Sequence, residues 1–375
     1  HRDLHSFPTR RSSDLYGMDL SQVECVYCGQ CVTVCPVGAL TPKPETEQAW
    51  KVINNPEKVV VAQIAPAVRV AIGELFGYEA GTVQIGHIVA AMKKIGFDYV
   101  YDTSFAADLT VLEEAEEFIK RRLNGEKLPQ FTSCCPSWVK FVEQYYAGLL
   151  PNLSSCKSPQ QMFGSLAKEM LPEILGVKKE NLVVVSVMPC TAKKFEAKRE
   201  EFYTDGMADV DIVLSTEGLG KMIKEKGILF NKLTPQSLDL PLGFKTGAGV
   251  IFGNSGGVSE AVLRYAYERI TGEKLRNADF AVVRGKEGHR EATVQLGKLT
   301  LNLAIVHSLK NARKVCDEVM DGKSKYDFIE IMSCPGGCIN GGAQPVNFEP
   351  DYIAKRTAGI YAADKMVQEI GRAHV

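Results

Sequence analysis

The sequence predicts an α/β protein, with largely parallel sheets flanked by helices and a small cysteine-rich module in front. Three observations carry this. Short runs rich in Val and Ile recur from Val59 onward, with helical patterns between most of them. Three segments, TSCCPSW (132–138), VMPCTAKK (187–194) and IMSCPGGC (331–338), place cysteine at or just past the end of an apolar strand. A dense cysteine stretch, CVYCGQCVTVCPVGAL (25–40), is set off by the polar connector TPKPETEQ (41–48). Ligands of open α/β sheets sit where strands end, so three separated cysteine-bearing ends can converge on one buried cofactor.

The elements follow in order. VVVAQIAP (59–66) reads as a buried strand, and the segment after it, with Arg69, as a helix start. YVYDTS (99–104) is a second strand, followed by an amphipathic helix from Ala106 to Arg122. NLVVVSVMPC (181–190), VDIVLS (210–215), GVIFG (249–253), FAVVRG (280–285), TLNLAIVHS (300–308) and YDFIEIMSC (326–334) read as further apolar strands. At the ends, HSFPTRRSSDL (5–15) and IGRAHV (370–375) resemble translated sequencing-adapter DNA. Residues 1–15 and 370–375 are therefore set aside as scars, and truncation of the native chain at both ends is expected. A hydrophobic content of 45% and a charged content of 24% are those of a soluble globular protein. The formal net charge of −1 argues against nucleic acid as a partner, and the longest apolar runs fall well short of a membrane span.

The chain carries 11 cysteines, and outside the suspect ends only His87, His289 and His307, none with a histidine partner at ligand spacing. Thiolate-rich, histidine-poor coordination favours iron–sulfur over catalytic zinc. Cys25, Cys28, Cys31 and Cys35 form C-x2-C-x2-C-x3-C-P, the bacterial ferredoxin signature for [4Fe–4S] binding. By the logic of two-cluster ferredoxins, Cys25, Cys28 and Cys31 hold one cluster and lack a partner thiolate from a second motif, which leaves Cys35 an orphan. Cys134 and Cys135 are adjacent, and neighbours on an extended backbone point to opposite faces, so either one is packing or the two have different roles. Beside Cys190, Lys193 and Lys194 can lower a thiol pKa or donate to an anionic ligand; the bland reading is a helix start with a solvated face. Cys334 and Cys338 lie four apart in a glycine-rich loop that lets backbone approach a bulky ligand; the bland reading is a redox disulfide or a zinc knuckle. Glu114, Glu117 and Arg121 share one helix face, either a solvated charged face or a carboxylate row able to shuttle protons to a nearby thiol. Cys156 and Cys316 read as small packed hydrophobes.

TSCCPSW, MPCTAKK and EIMSCPGGCINGGAQP (330–345), in this order and spacing, resemble the catalytic domain of the [FeFe]-hydrogenases, from about Val59 to about Ala363. APAVRVAIGE (65–74), DTSFAADLT (102–110), NLSSCKSPQQMFG (152–164) and GAGVIFGNSGGVSEA (247–261) strengthen the likeness, which is greatest to subunits of NAD(P)-linked, electron-bifurcating enzymes. The resemblance implies a two-lobed catalytic domain of twisted sheets over 55–348 with the cofactor between the lobes. A partial ferredoxin-like module (16–45) would precede it, and the start of a truncated small-subunit-like segment (349–369) would follow. The implied reaction is 2H+ + 2e− ⇌ H2 at an H-cluster, a [4Fe–4S] cluster linked to a two-iron subsite with CO, CN and azadithiolate. It further implies that Cys135, Cys190, Cys334 and Cys338 ligate that cluster, with Cys338 bridging to the subsite, and that Cys134 passes protons. Lys193 would hold a cyanide, Met188 and Met332 would pack against the subsite, and Ala65, Pro66, Ala67 and Gln160 would complete the wall. Glu114, Glu117, Arg121 and Ser154 would relay protons to Cys134. Electrons would arrive through the N-terminal [4Fe–4S] cluster.

The implied partners are ferredoxin or NAD(P)H-oxidising subunits and the maturation proteins that build the two-iron unit, in the cytoplasm. Two positions depart from the family pattern: Ala343 replaces the third glycine of GGGQP, and Ser259 stands where methionine is usual. Two other readings share the fold, a non-catalytic iron–sulfur assembly protein and a hydrogen sensor. Assembly relatives tend to lose the paired cysteine and the lysine of MPC-x-x-K, and this chain keeps both.

Overall fold

The computed structural model describes residues 22–35, 37–275 and 279–373; residues 1–15 and 374–375, expected as scar sequence, lie outside them. Ten strands are described: β1 (Val59–Ile64), β2 (Tyr99–Asp102), β3 (Gln130–Phe131), β4 (Leu182–Met188), β5 (Tyr203–Thr204), β6 (Met207–Ala208), β7 (Ile212–Ser215), β8 (His289–Leu296), β9 (Leu299–His307) and β10 (Phe328–Met332). Eight of them build two four-stranded sheets, ordered β2-β1-β4-β7 and β3-β10-β9-β8. The first sheet is wholly parallel. The second is parallel except for the antiparallel pair β8–β9.

The helices are α1 (Gln30–Thr33), α2 (Thr46–Ile53), α3 (Ile85–Ile95), α4 (Thr103–Asn124), α5 (Pro136–Tyr145), α6 (Pro159–Leu175), α7 (Ala192–Glu196), α8 (Thr216–Glu225), α9 (Gly247–Ile251), α10 (Gly257–Thr271), α11 (Leu309–Met320) and α12 (Tyr352–Ala373). All seven residues of β4 are buried, as expected of a parallel strand covered on both faces. The long helix α4 joins the two halves. Asp102 caps its start by accepting from the Ser104 backbone N–H. Ala106 packs into the core of the first sheet, while Ala107, Val111, Ala115 and Phe118 enter that of the second. The ends of β1, β2 and β4 are held in register, with Ile64 opposite both Asp102 and Val187, so the loops that follow them leave at one level.

Four expectations are corrected. GVIFG is not a strand: its first three residues lie in α9, which Thr246 starts by accepting from the Ala248 backbone N–H. FAVVRG is a loop with one 3-10 turn at Ala281–Val283. The helix expected at Arg69 is a pair of 3-10 turns, Pro66–Val70 and Ile72–Phe76. HREATVQL, read as no element, is β8, joined to β9 by a two-residue turn with Gly297 at φ 60°. Arg69 is buried and donates to both oxygens of Asp102, at 2.8 and 3.0 Å, and Lys245 completes the group. Burial alone would raise Asp102, but Arg69 and Lys245 outweigh it and hold the carboxyl well below the usual carboxylate range.

Candidate functional site

Three strand ends bring their cysteines together between the sheets. After β3 the chain stays extended to Cys135, and Pro136 opens α5, so two cysteines follow one strand without entering a helix. The Thr132 hydroxyl oxygen accepts from the Ile331 backbone N–H at 3.3 Å, which keeps this segment beside β10. Cys135 Sγ stands 3.4 Å from Ser333 Oγ. Gly336 and Gly337 follow β10 at φ 79° and 103°; a Cβ on Gly337 would come within 2.6 Å of the Ser255 nitrogen, so only glycine lets the Cys338 loop pass. That loop locks onto the one after β4, where the Ala343 N–H donates to Pro189 O at 3.0 Å. The methyl of Ala343 is fully buried at the one position of its glycine run where it fits. A Cβ on Gly341 would strike Pro189 O at 2.1 Å, and one on Gly342 would strike Gly29 at 2.4 Å.

The loops enclose a cavity of about 70 Å³ with almost wholly apolar walls. Cys134, Cys135, Cys190 and Cys338 face it, and Met188 and Met332 pack from the two sheets. Ala65, Pro66, Ala67, Gln160 and Lys193 complete the wall. Thr103, Pro159, Pro189, Phe252 and Gly253 also line it. Phe252 and Gly253 reach the wall because they follow α9 rather than continuing a strand. Cys334 is buried beside the cavity, within electrostatic reach of Cys190, Cys135, Cys338 and Cys28. Ser259 does not reach the cavity; its backbone N–H donates to the buried Glu330 at 2.7 Å. A larger surface groove of about 820 Å³, at the far ends of α4 and α10, shares no residue with the site.

Burial and then the neighbouring thiols push Cys190, Cys334 and Cys338 up, Cys338 to about 12. These three buried thiols ionise at neutral pH only against a cationic centre, and iron is one. The donor set thus fits an iron–sulfur cluster. Among the described residues, no three Cys, His, Asp or Glu side chains stand close enough together to hold one metal ion.

The N-terminal module docks on these same loops. Tyr27 O accepts from Thr191 Oγ1 at 2.6 Å, and Gln30 Nε2 donates to Asn340 O at 2.8 Å. The Tyr27 ring lies 5.0 Å from that of Phe195, with the Lys140 ammonium over both. Burial raises Cys28, and the thiols of Cys25, Cys31 and Cys135 act on it, which puts Cys28 on the side of the module facing the cavity. Cys35 closes the turn after α1, its N–H donating to Val32 O.

Behind Cys134 lies the carboxylate row. Glu114 is 1% exposed and pushed up to about 8, by burial first and then by the charges of Glu117 and Glu330. Burial and the Glu114 charge raise the Cys134 thiol in turn. Ser154 Oγ donates to Glu117 Oε2 at 2.8 Å, and Arg121 donates to Glu117 Oε1 at 2.6 Å and to Leu153 O at 2.9 Å. Glu117 opens onto a surface groove with Lys120, Ser155 and Cys156. The bland reading of a solvated charged face therefore fails for Glu114. Cys156 and Cys316 are raised to about 12 by burial, as packed thiols are.

Fold and site define a protein that buries thiolate-bound iron in an apolar cavity between two sheets. Residues 58–342 match the family described as "Iron only hydrogenase large subunit, C-terminal domain", and residues 21–41 match "4Fe-4S binding domain". The chain belongs to the iron-only hydrogenase family. It is 48% identical over 359 residues to the NADP-reducing hydrogenase subunit HndD of Solidesulfovibrio fructosivorans, covering 93% of this chain and 61% of that one. It is 47% identical to the periplasmic [Fe] hydrogenase large subunit of Nitratidesulfovibrio vulgaris, covering 92% and 90%. A solved structure of a variant of apo [FeFe]-hydrogenase HydA1 from Chlamydomonas reinhardtii superposes with a TM-score of 0.76 at 37% identity, over 85% of this chain and 89% of that one. More distantly, it is 32% identical to a probable cytosolic Fe-S cluster assembly factor of Aedes aegypti, covering 94% and 77%.

Proposed function

We infer that this chain is the catalytic unit of an [FeFe]-hydrogenase, interconverting protons and electrons with H2 at an H-cluster. The observation that carries the reading is one cavity that joins ligating thiols from both sheets to a buried thiol–carboxyl path leading outward. Cys135, Cys190, Cys334 and Cys338 would hold the cluster, and Lys193 would donate to a cyanide on it. When bound, the two-iron subsite supplies the bond-making chemistry. The chain does the rest. Met188, Met332, Ala65, Pro66 and Ala67 exclude water, and Cys134 Sγ holds the proton nearest the cavity. Glu114 is a neutral carboxyl at pH 7, poised to replenish that proton, and Ser154, Glu117 and Arg121 lead from it to the surface groove. Cys25, Cys28, Cys31 and Cys35 serve ferredoxin-type [4Fe–4S] binding, with Cys28 on the side where electrons enter.

The electron partner is ferredoxin or an NAD(P)H-oxidising subunit, a nicotinamide link being in keeping with the NADP-reducing relative HndD, and maturation proteins supply the two-iron unit. Among the described residues no helix is long and apolar enough to cross a membrane. A cytoplasmic site of action is our reading, although one relative is named periplasmic. The assembly-factor likeness supports a second reading, a non-catalytic scaffold, which gives no purpose to Cys134 or Lys193 in the cavity wall. Infrared spectroscopy of the anaerobically matured chain separates the two. Iron-bound CO and CN− bands together with H2 evolution are expected. Iron–sulfur absorbance without those bands, in a preparation where a full-length hydrogenase shows them, would overturn the reading.

A further inference from the structure

Glu196, at the C-terminal end of α7, is a buried carboxylate three residues beyond Lys193. Its oxygens accept from three side chains on two helices. Lys193 Nζ donates at 3.0 and 3.2 Å, Gln160 Nε2 at 3.0 Å and Ser158 Oγ at 2.9 Å. Two of these donors, Lys193 and Gln160, form the cavity wall. Counting hydrogens shows what Glu196 leaves exposed. The Lys193 ammonium has three N–H groups; one goes to Cys134 O at 3.0 Å and one is shared between the Glu196 oxygens, so one remains for the cavity. Gln160 spends both amide hydrogens, on Glu196 and on Lys193 O at 3.1 Å, and its Oε1 is buried without a partner. The reverse amide orientation would set that oxygen against two acceptors, so the network fixes it.

We propose that Glu196 is the positioning residue of the cavity, holding Lys193 and Gln160 so that a single cationic N–H and a single carbonyl oxygen face the bound group. This rests on the H-cluster reading and extends it. One cationic donor and one carbonyl acceptor, on walls that are apolar apart from the thiols, give an unsymmetrical ligand set one favoured orientation. A strong acceptor end, such as a cyanide nitrogen, meets Lys193 and is turned away from Gln160. An ammonium in so apolar a wall also needs a carboxylate beside it to remain there as a cation, and Glu196 is the carboxylate bonded to it.

The test uses Glu196→Gln and Glu196→Ala, with Ser158→Ala as the control that loses one outer hydrogen bond and keeps the carboxylate. Thermal melting of each full chain, produced without maturation proteins, first establishes that it folds. Reductive methylation with formaldehyde, read by peptide mass spectrometry, then reports how firmly Lys193 is held in that same chain. Lys193 should be protected in the wild type and in Ser158→Ala, and modified at least tenfold faster in Glu196→Ala. After maturation, the infrared cyanide bands of Glu196→Gln should shift and broaden relative to wild type. Equal Lys193 protection in wild type and both Glu196 variants would overturn the proposal, as would unchanged cyanide bands. Failure of the wild type itself to show CO and CN− bands would instead overturn the hydrogenase reading, and the methylation result would still decide the role of Glu196.

Discussion

Replacing Glu114 by glutamine should change how stability depends on pH, whether or not the enzyme is turning over. The Glu114 carboxyl is buried, and burial holds its pKa at about 8 against an ordinary 4.5, despite the opposing influence of Ser154 and the Ser133 backbone. In the unfolded chain the same carboxyl loses its proton near 4.5. Between these values the folded state binds more protons than the unfolded one, so stability falls as pH rises through this window and levels off above it. Each tenfold difference in proton affinity is worth about 1.4 kcal/mol, so the full loss is on the order of 3–5 kcal/mol, allowing for coupling to Glu117 and Glu330. The amide of Glu114→Gln keeps the shape and cannot ionise. Anaerobic urea midpoints of both chains at pH 4.5, 6, 7.5 and 9 supply the measurement. The variant should gain on wild type steadily from the lowest pH to about 8, and no further. Parallel curves would mean that Glu114 is not a neutral buried acid, and would remove the physical basis for its place in the proton path.

Other outcomes follow from the same geometry. Cys134→Ala should retain wild-type iron content and infrared bands but lose roughly 10²–10⁴-fold in turnover, the usual worth of a positioned proton donor. Arg69→Met should cost about 3–5 kcal/mol in chemical unfolding, because it leaves Asp102 buried with only Lys245 beside it. Tyr27→Ala removes the ring between Phe195 and Lys140, a loss of about 1–2 kcal/mol in docking. Faster proteolysis within the largely exposed stretch 41–44, ahead of α2, would register it. Ala343→Gly should leave cluster content unchanged and shift stability by less than about 1 kcal/mol, since the methyl fits its site without contacting the cavity.

The fold was legible where burial on both faces produces unbroken apolar runs, as in β1, β4, β9 and β10. The same criterion failed at GVIFG and FAVVRG, because a run of four or five apolar residues has no period to read. What makes α9 a helix lies elsewhere in the chain. Asp108 accepts from the backbone N–H groups of Thr246 and Gly249, a pairing across about 140 residues that no local pattern announces. β8 is a different case. Arg290, Ala292, Val294 and Leu296 are buried while Glu291, Thr293 and Gln295 are exposed, a clean alternation that was visible in the sequence. Its first inward residue is an arginine. That arginine reaches Ser255 and Val283, and so belongs inside.

The site divides along the same line. Spacing pointed to the ferredoxin-type cysteines and placed three further cysteine-bearing segments at strand ends, while the ligand set proposed for the cavity came from the family resemblance. Glu196 was half-visible, since its i,i+3 pairing with Lys193 is local, but its other two partners, Ser158 and Gln160, lie 38 and 36 positions away. The adjacent cysteines belong to both cases. Cys135 caps α5 with extended backbone at φ −96°, ψ 106°, and its sulfur sits by Ser333 on the side of Cys190 and Cys334. Cys134, one residue earlier, answers to the charge of Glu114. Alternation along an extended segment required two directions for the pair, and only the packing of α4 against β3 could place an acid at the end of one of them. Because Pro136 opens α5 only after Cys135, and the Thr132–Ile331 bond ties this segment to β10, the two sulfurs are free to meet different neighbours, Cys135 beside Ser333 and Cys134 toward Glu114.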